Sequence, residues 1–216
     1  MNDRIHYVLA VLFFLGLSTS SFLNAEEAMY PKTASPQNGY MLATLDVRQN
    51  HPRMPKSLQE KERVVLVDKN RQIIAVGPPS SKYHFIVWDY YGIAPTGFWN
   101  ESENTMVLEN TARTWSRVDF FRHCNGRLEE ITRSEFPLSQ HIPDFIAHTR
   151  YSETFEKWID EKTCEIKLSG IAQTGKNYRG EQDDQKCDYP SFEGKVVIDL
   201  SGANAEIVSM SVNLNP

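Results

Sequence analysis

Beyond residue 17 the chain has no apolar run long enough to cross a bilayer as a helix, a task that takes about 20 residues. No stable membrane span is therefore expected in that part. Basic runs are missing as well. Lys and Arg number 23 against 28 Asp and Glu, and the net charge of −5 is spread evenly. No stripe could neutralise a phosphate backbone, which argues against a nucleic-acid partner. Cysteine is scarce, and the spacing of Cys124, Cys164 and Cys187 fits no common zinc pattern, so no metal site is expected. There is no Gly-x-Ser-x-Gly elbow, no His-Glu-x-x-His and no phosphate loop. Internal repeats and low-complexity tracts are absent too.

The N-terminus has the layout of a secretory signal peptide. Arg4 precedes the apolar run Tyr7–Leu17, and a small, polar stretch ends at Ala25. Eleven residues rise about 16 Å as a helix, short of the ~30 Å hydrocarbon core. Cleavage near Ala25 is expected, giving a periplasmic or secreted protein, with 26–39 a flexible arm and 40–216 a single domain. Export places the cysteines in an oxidising compartment, so one disulfide is expected. Every pairing leaves one thiol over; Cys164–Cys187 is favoured because it joins neighbouring strands, worth about 3 kcal/mol in loop entropy.

The rest reads as a succession of strands. Glu62–Val67 and Gln72–Val76 flank the turn Asp68–Asn70. Thr105–Glu109, Trp115–His123 and Arg127–Arg133 follow, the last two around Asn125-Gly126, the dipeptide suited to a tight hairpin. Near the end, Thr163–Leu168, Gly194–Leu200 and Glu206–Leu214 complete the series. Within Tyr151–Asp160 the spacing of Tyr151, Phe155, Trp158 and Ile159 predicts an amphipathic helix packed on the sheet. About nine or ten strands on short turns imply a mainly β fold with antiparallel pairing. An antiparallel β-barrel of calycin or lipocalin type with that one helix is expected, because closure removes exposed edges; the alternative is a β-sandwich.

Aromatic residues crowd the stretch from Tyr83 to Phe121. In Tyr83–Tyr91 (YHFIVWDYY) alternation puts Trp88 and Tyr90 on one face. With Trp115 they are the candidate ligand-binding residues, flat walls for a ring-bearing or lipid-like molecule; the competing reading is a solid aromatic core. Asp89, among rings, is the catalytic candidate, since burial would raise its pKa. His141 and His148 lie in a Pro-containing stretch and suit surface or core histidines better than a metal pair. Asn100-Glu101-Ser102 is a glycosylation sequon.

The segment 164–200 resembles the C-terminal part of the CpcT/CpeT type of chromophore lyase. The features are Cys164, Tyr178-Arg179-Gly180, Lys186-Cys187, and Gly194 before Val196-Val197-Ile198. The resemblance implies a calycin-type barrel holding a large hydrophobic ligand; it carries over no active-site residues and no lyase activity. The leading expectation is an exported, non-enzymatic binder of a bulky hydrophobic small molecule, lipid- or tetrapyrrole-like. The alternatives are an envelope or host protein-interaction module with a solid core, and a CpcT/CpeT-like lyase or secreted hydrolase centred on Asp89. No cofactor is specified by the residues.

Overall fold

The computed structural model describes residues 27–45, 63–79, 95–111, 115–175 and 189–215. They form a mainly β protein whose strands are β1 (Glu27–Met29), β2 (Met41–Leu45), β3 (Arg63–Val67), β4 (Ile73–Pro79), β5 (Thr96–Trp99), β6 (Thr105–Thr111), β7 (Ser116–Cys124), β8 (Arg127–Glu130), β9 (Phe145–Trp158), β10 (Thr163–Thr174), β11 (Ser191–Asp199) and β12 (Glu206–Asn215). Two short 3-10 turns, Pro31–Thr33 and Leu138–Gln140, are the only helical pieces among the described residues.

The strands lie in the order β1-β2-β3-β4-β8-β7-β9-β10-β11-β12, with β6 branching from β7 and carrying β5. Pairing between the strands is antiparallel except at two single contacts, Val76 with Arg127 and Ser116 with Ser152, where β4 meets β8 and β7 meets β9 in parallel; an isolated parallel bridge also joins Thr132 to Asn204. A barrel needs one unbranched ring of strands. Here β7 has β6 along one side, while β8 and β9 share the other, and β1 and β12 do not pair. Among the described residues the sheet is therefore mixed and does not close into the expected barrel.

The branch creates two cores with a common wall. Alternation along β6 and β7 sends Val107, Val118 and Phe120 to one side and Met106, Leu108 and Phe121 to the other. The first group packs with Cys164, Ile166, Leu168, Phe192 and Val196 of β10 and β11; the second packs with Leu42, Val64, Leu66 and Ala75 of β2–β4. The side chains of β3 from Val64 to Val67 are fully buried, which explains their unbroken aliphatic run.

The predicted helix over Tyr151–Asp160 is instead the C-terminal half of β9, and the reason is visible in its register. Against β10, Trp158 opposes Cys164, Phe155 opposes Ile166 and Glu153 opposes Leu168, with a bulge between Glu165 and Ile166. The extra residue turns the strand step of two into a step of three, so Phe155 and Trp158 return to one face. Two further bulges, opposite Ser169–Ile171 and Gln173–Thr174, do the same farther upstream. A strand with repeated bulges thus imitates a helical period.

Local turn chemistry follows the sequence. Asn125 and Gly126 have φ of 50° and 73°, left-handed at both positions as a tight primed turn requires. Asp68 Oδ1 accepts the N–H groups of Asn70 and Gln72, 2.8 Å each, holding the β3–β4 turn. The expected arm is placed from residue 27 onward: β1 pairs with β2, and buried Glu103 accepts both the backbone N–H and the amide of Asn38 at 3.0 and 2.7 Å. Trp99, 9% exposed, donates its indole N–H to the carbonyl of Thr33 at 2.8 Å, and Phe98 stacks on Phe155 at 4.5 Å. Asn100 of the sequon is buried, and its amide donates to Asn104 Oδ1 and the Glu161 carbonyl, which leaves no room for a glycan on the folded chain.

Candidate functional site

Between Val118 and its nearest neighbours the sheet has a seam. β8 pairs with the C-terminal end of β7, at Phe121–Cys124, whereas β9 touches only Ser116. Neither strand reaches Val118, whose backbone groups are buried and need partners. Side chains supply them. Glu153 Oε2 accepts the Val118 N–H at 3.0 Å, and Arg133 Nε donates to the Val118 carbonyl at 3.2 Å. The two side chains also pair with each other, Arg133 Nη2 donating to Glu153 Oε2. The pair is buried, with 9% and 4% of the side chains exposed. The Arg133 guanidinium lies 4.7 Å from the Phe136 ring centre, a cation–π contact. Ser116 Oγ donates to the Glu153 carbonyl at 2.8 Å and closes the far end of the seam.

Above this base lies a half-open cleft of about 610 Å³. Its walls come from the start of β7 (Trp115, Ser116, Arg117), the connection to β9 (Arg133, Glu135–Ser139) and the first half of β9 (Phe145, His148–Tyr151, Glu153). The bulges of β9 determine one wall. By spacing core-face residues three apart they bring Phe145, His148 and Tyr151 into a row, with ring centres 6.2 Å and 4.4 Å apart. Tyr151 continues to Phe192 at 6.3 Å. Phe192 in turn packs over Gly170, where a Cβ would come within 2.8 Å of its ring. Burial pushes the Tyr151 hydroxyl pKa well above its ordinary value, with the Glu153 carboxylate raising it further, so Tyr151 stays a neutral donor. On the edge of the same region, burial also raises the Asp119 carboxyl pKa, partly offset by Arg117 and Arg133; Asn110 Nδ2 donates to Asp119 Oδ2 at 3.0 Å.

Of the residues singled out from the sequence, Trp115 lines this cleft. Trp88, Tyr90 and Asp89 lie outside the described residues, as do Cys187 and the N-terminal segment up to Glu26. Cys164 is buried and bonds to no described cysteine, and burial pushes its pKa as a thiol up to about 12; Cys124 is exposed at the end of β7. His148 joins the cleft while His141 does not line it. Arg133, Phe136, Arg150, Tyr151 and Glu153 were not anticipated. One signal was present: read as a strand, Tyr151, Glu153 and Phe155 share a face, and an acid between two rings on a core face marks a buried carboxylate with a partner.

Chemically, the cleft offers flat apolar and imidazole surfaces above a neutralised ion pair. No described helix is long and apolar enough to cross a membrane. Comparison of the chain with family models, with curated proteins and with solved structures finds no match.

Proposed function

We propose that the protein binds a bulky, ring-bearing hydrophobic small molecule in the cleft at the β7–β9 seam and does not act on it chemically. The observation that carries this reading is the row Phe145–His148–Tyr151 facing a 610 Å³ space that Trp115 also lines. Ligand sites are concave, largely apolar and furnished with a few fixed polar groups, and this cleft has that composition. The site lies at a seam of the sheet, so binding does not require a closed barrel. Export after Ala25 and the Cys164–Cys187 bond belong to the same reading, as does a tetrapyrrole-like ligand, for which the likeness of 164–200 to chromophore lyases is a reason to test.

The test is a titration with a panel of pyrene derivatives and tetrapyrroles, followed by quenching of tryptophan emission. At least one member should give a saturable signal. Trp115→Ala and His148→Ala should each weaken binding about tenfold, the order of one lost ring-stacking contact, with unchanged circular dichroism. No saturable response from any member overturns the reading.

A second reading, a protein-interaction module, draws on β12. It is an edge strand with Val208 62% and Ile207 40% exposed, and Glu206 is its only charged residue. Charges usually guard such edges. Concentration-dependent association that Val208→Lys abolishes would favour it.

A further inference from the structure

We propose that the ligand of this cleft carries a carboxylate and that Arg150 is the residue that receives it; the inference rests on the cleft being a binding site. The chain as a whole is acidic, net −5, yet the cleft is lined by Arg117, Arg133 and Arg150 against Glu135 and Glu153. Two of these arginines are engaged. Arg133 is held by Glu153 and Val118, and Arg117 Nε lies 3.8 Å from the Asp119 carboxylate. Arg150 is exposed and has no ion pair with any described residue.

Its backbone is the second observation. Arg150 has φ of 50°, in the left-handed region, inside the β9 bulge opposite Ser169–Ile171. Glycine or asparagine would occupy that conformation with less strain. Bulges next to functional sites re-aim side chains, and strain at such a position is a reason to look for a function. This bulge turns an arginine into the mouth of a cleft, between His148 and Tyr151, whose rings lie 4.4 Å apart. A ring system stacked on that pair has a guanidinium beside it, and guanidinium matches carboxylate with two parallel hydrogen bonds.

The experiment compares 1-pyrenebutanoate with its methyl ester and with 1-pyrenebutylamine on the full chain, wild type, Arg150→Asn and Arg71→Asn. Arg71 is a suitable control: it too has a positive φ, 62°, but sits in the β3–β4 turn and does not line the cleft. Asparagine tolerates both backbones, so both variants should fold. The acid should bind about tenfold tighter than the ester, the scale of a charge-assisted contact in a partly open site. Arg150→Asn should bring the acid down to the ester's affinity and leave the ester unchanged, while Arg71→Asn changes neither. The acid's advantage should shrink in high salt. Equal binding of acid and ester, stronger binding of the amine, or a preference for the acid that survives Arg150→Asn overturns the proposal while the cleft reading stands. Failure of all three compounds and of the wider panel removes the cleft reading, and this proposal with it.

Discussion

Replacing Glu153 by Gln isolates what the buried ion pair does. Arg133 would lose its counter-charge inside the seam, and breaking such a pair from one side costs about 3–5 kcal/mol. The cleft admits water above the guanidinium, which favours the lower end. For a chain of this size about 3 kcal/mol corresponds to a fall in Tm of roughly 6–12 °C. Two double variants then separate charge from backbone service. Arg133→Gln with Glu153→Gln removes both charges but keeps a donor for the Val118 carbonyl and an acceptor for its N–H. It should recover most of the loss. Arg133→Met with Glu153→Leu also removes both charges, yet it orphans two buried backbone groups at about 1 kcal/mol or more each. It should therefore be less stable than the double glutamine by about 2 kcal/mol or more. Urea denaturation followed by circular dichroism measures all four proteins. If the Met/Leu pair proves as stable as the wild type, the side chains are not standing in for a missing ladder, and the account of the seam is wrong.

Three further outcomes are expected. Burial raises the Asp119 carboxyl in the folded state above its unfolded 3.8, so the folded state holds the proton more tightly; its favourable contribution is complete below the unfolded pKa and is lost as pH rises through the raised folded value. Asp119→Asn should accordingly gain Tm relative to wild type as pH rises from 4 towards 8, and an equal or shrinking difference would contradict the assignment. Thiol labelling with a chromogenic disulfide at pH 8 should modify exposed Cys124 quickly and buried Cys164 not at all in the native protein; after denaturation without reductant, one reactive thiol supports the Cys164–Cys187 bond and three refute it. Gly170→Ala should destabilise the fold by about 1–3 kcal/mol, because its methyl group would press on the Phe192 ring beneath Tyr151; unaltered stability in a melt would show that the ring moves freely.

Much of the sheet was legible in the sequence, for definite reasons. β3, β4, β7, β8 and β12 combine strong alternation or aliphatic runs with turn residues at their ends, and Asn125-Gly126 left one turn geometry open. β1 and β5 escaped notice because three or four residues carry little periodic signal. β9 was misread because each bulge adds a residue, and the resulting step of three lies closer to a helix than to a flat strand. The barrel expectation failed at the branch on β7, a matter of which strands share an edge, which no local pattern encodes. The cleft was mostly hidden for a similar reason: Trp115, Arg133 and Tyr151 belong to different segments and meet only where the sheet divides.

Phe120 and Phe121 are adjacent in the chain yet face opposite interiors. Any disturbance that loosens the hairpin of β6 and β7 removes a wall from both at once, so neither half has an independent way of coming apart. Partial opening should accordingly be rare, and slow amide exchange on either side of that hairpin should respond together to a single substitution in it. A molecule seated beside Trp115 would then brace not one layer but the whole body.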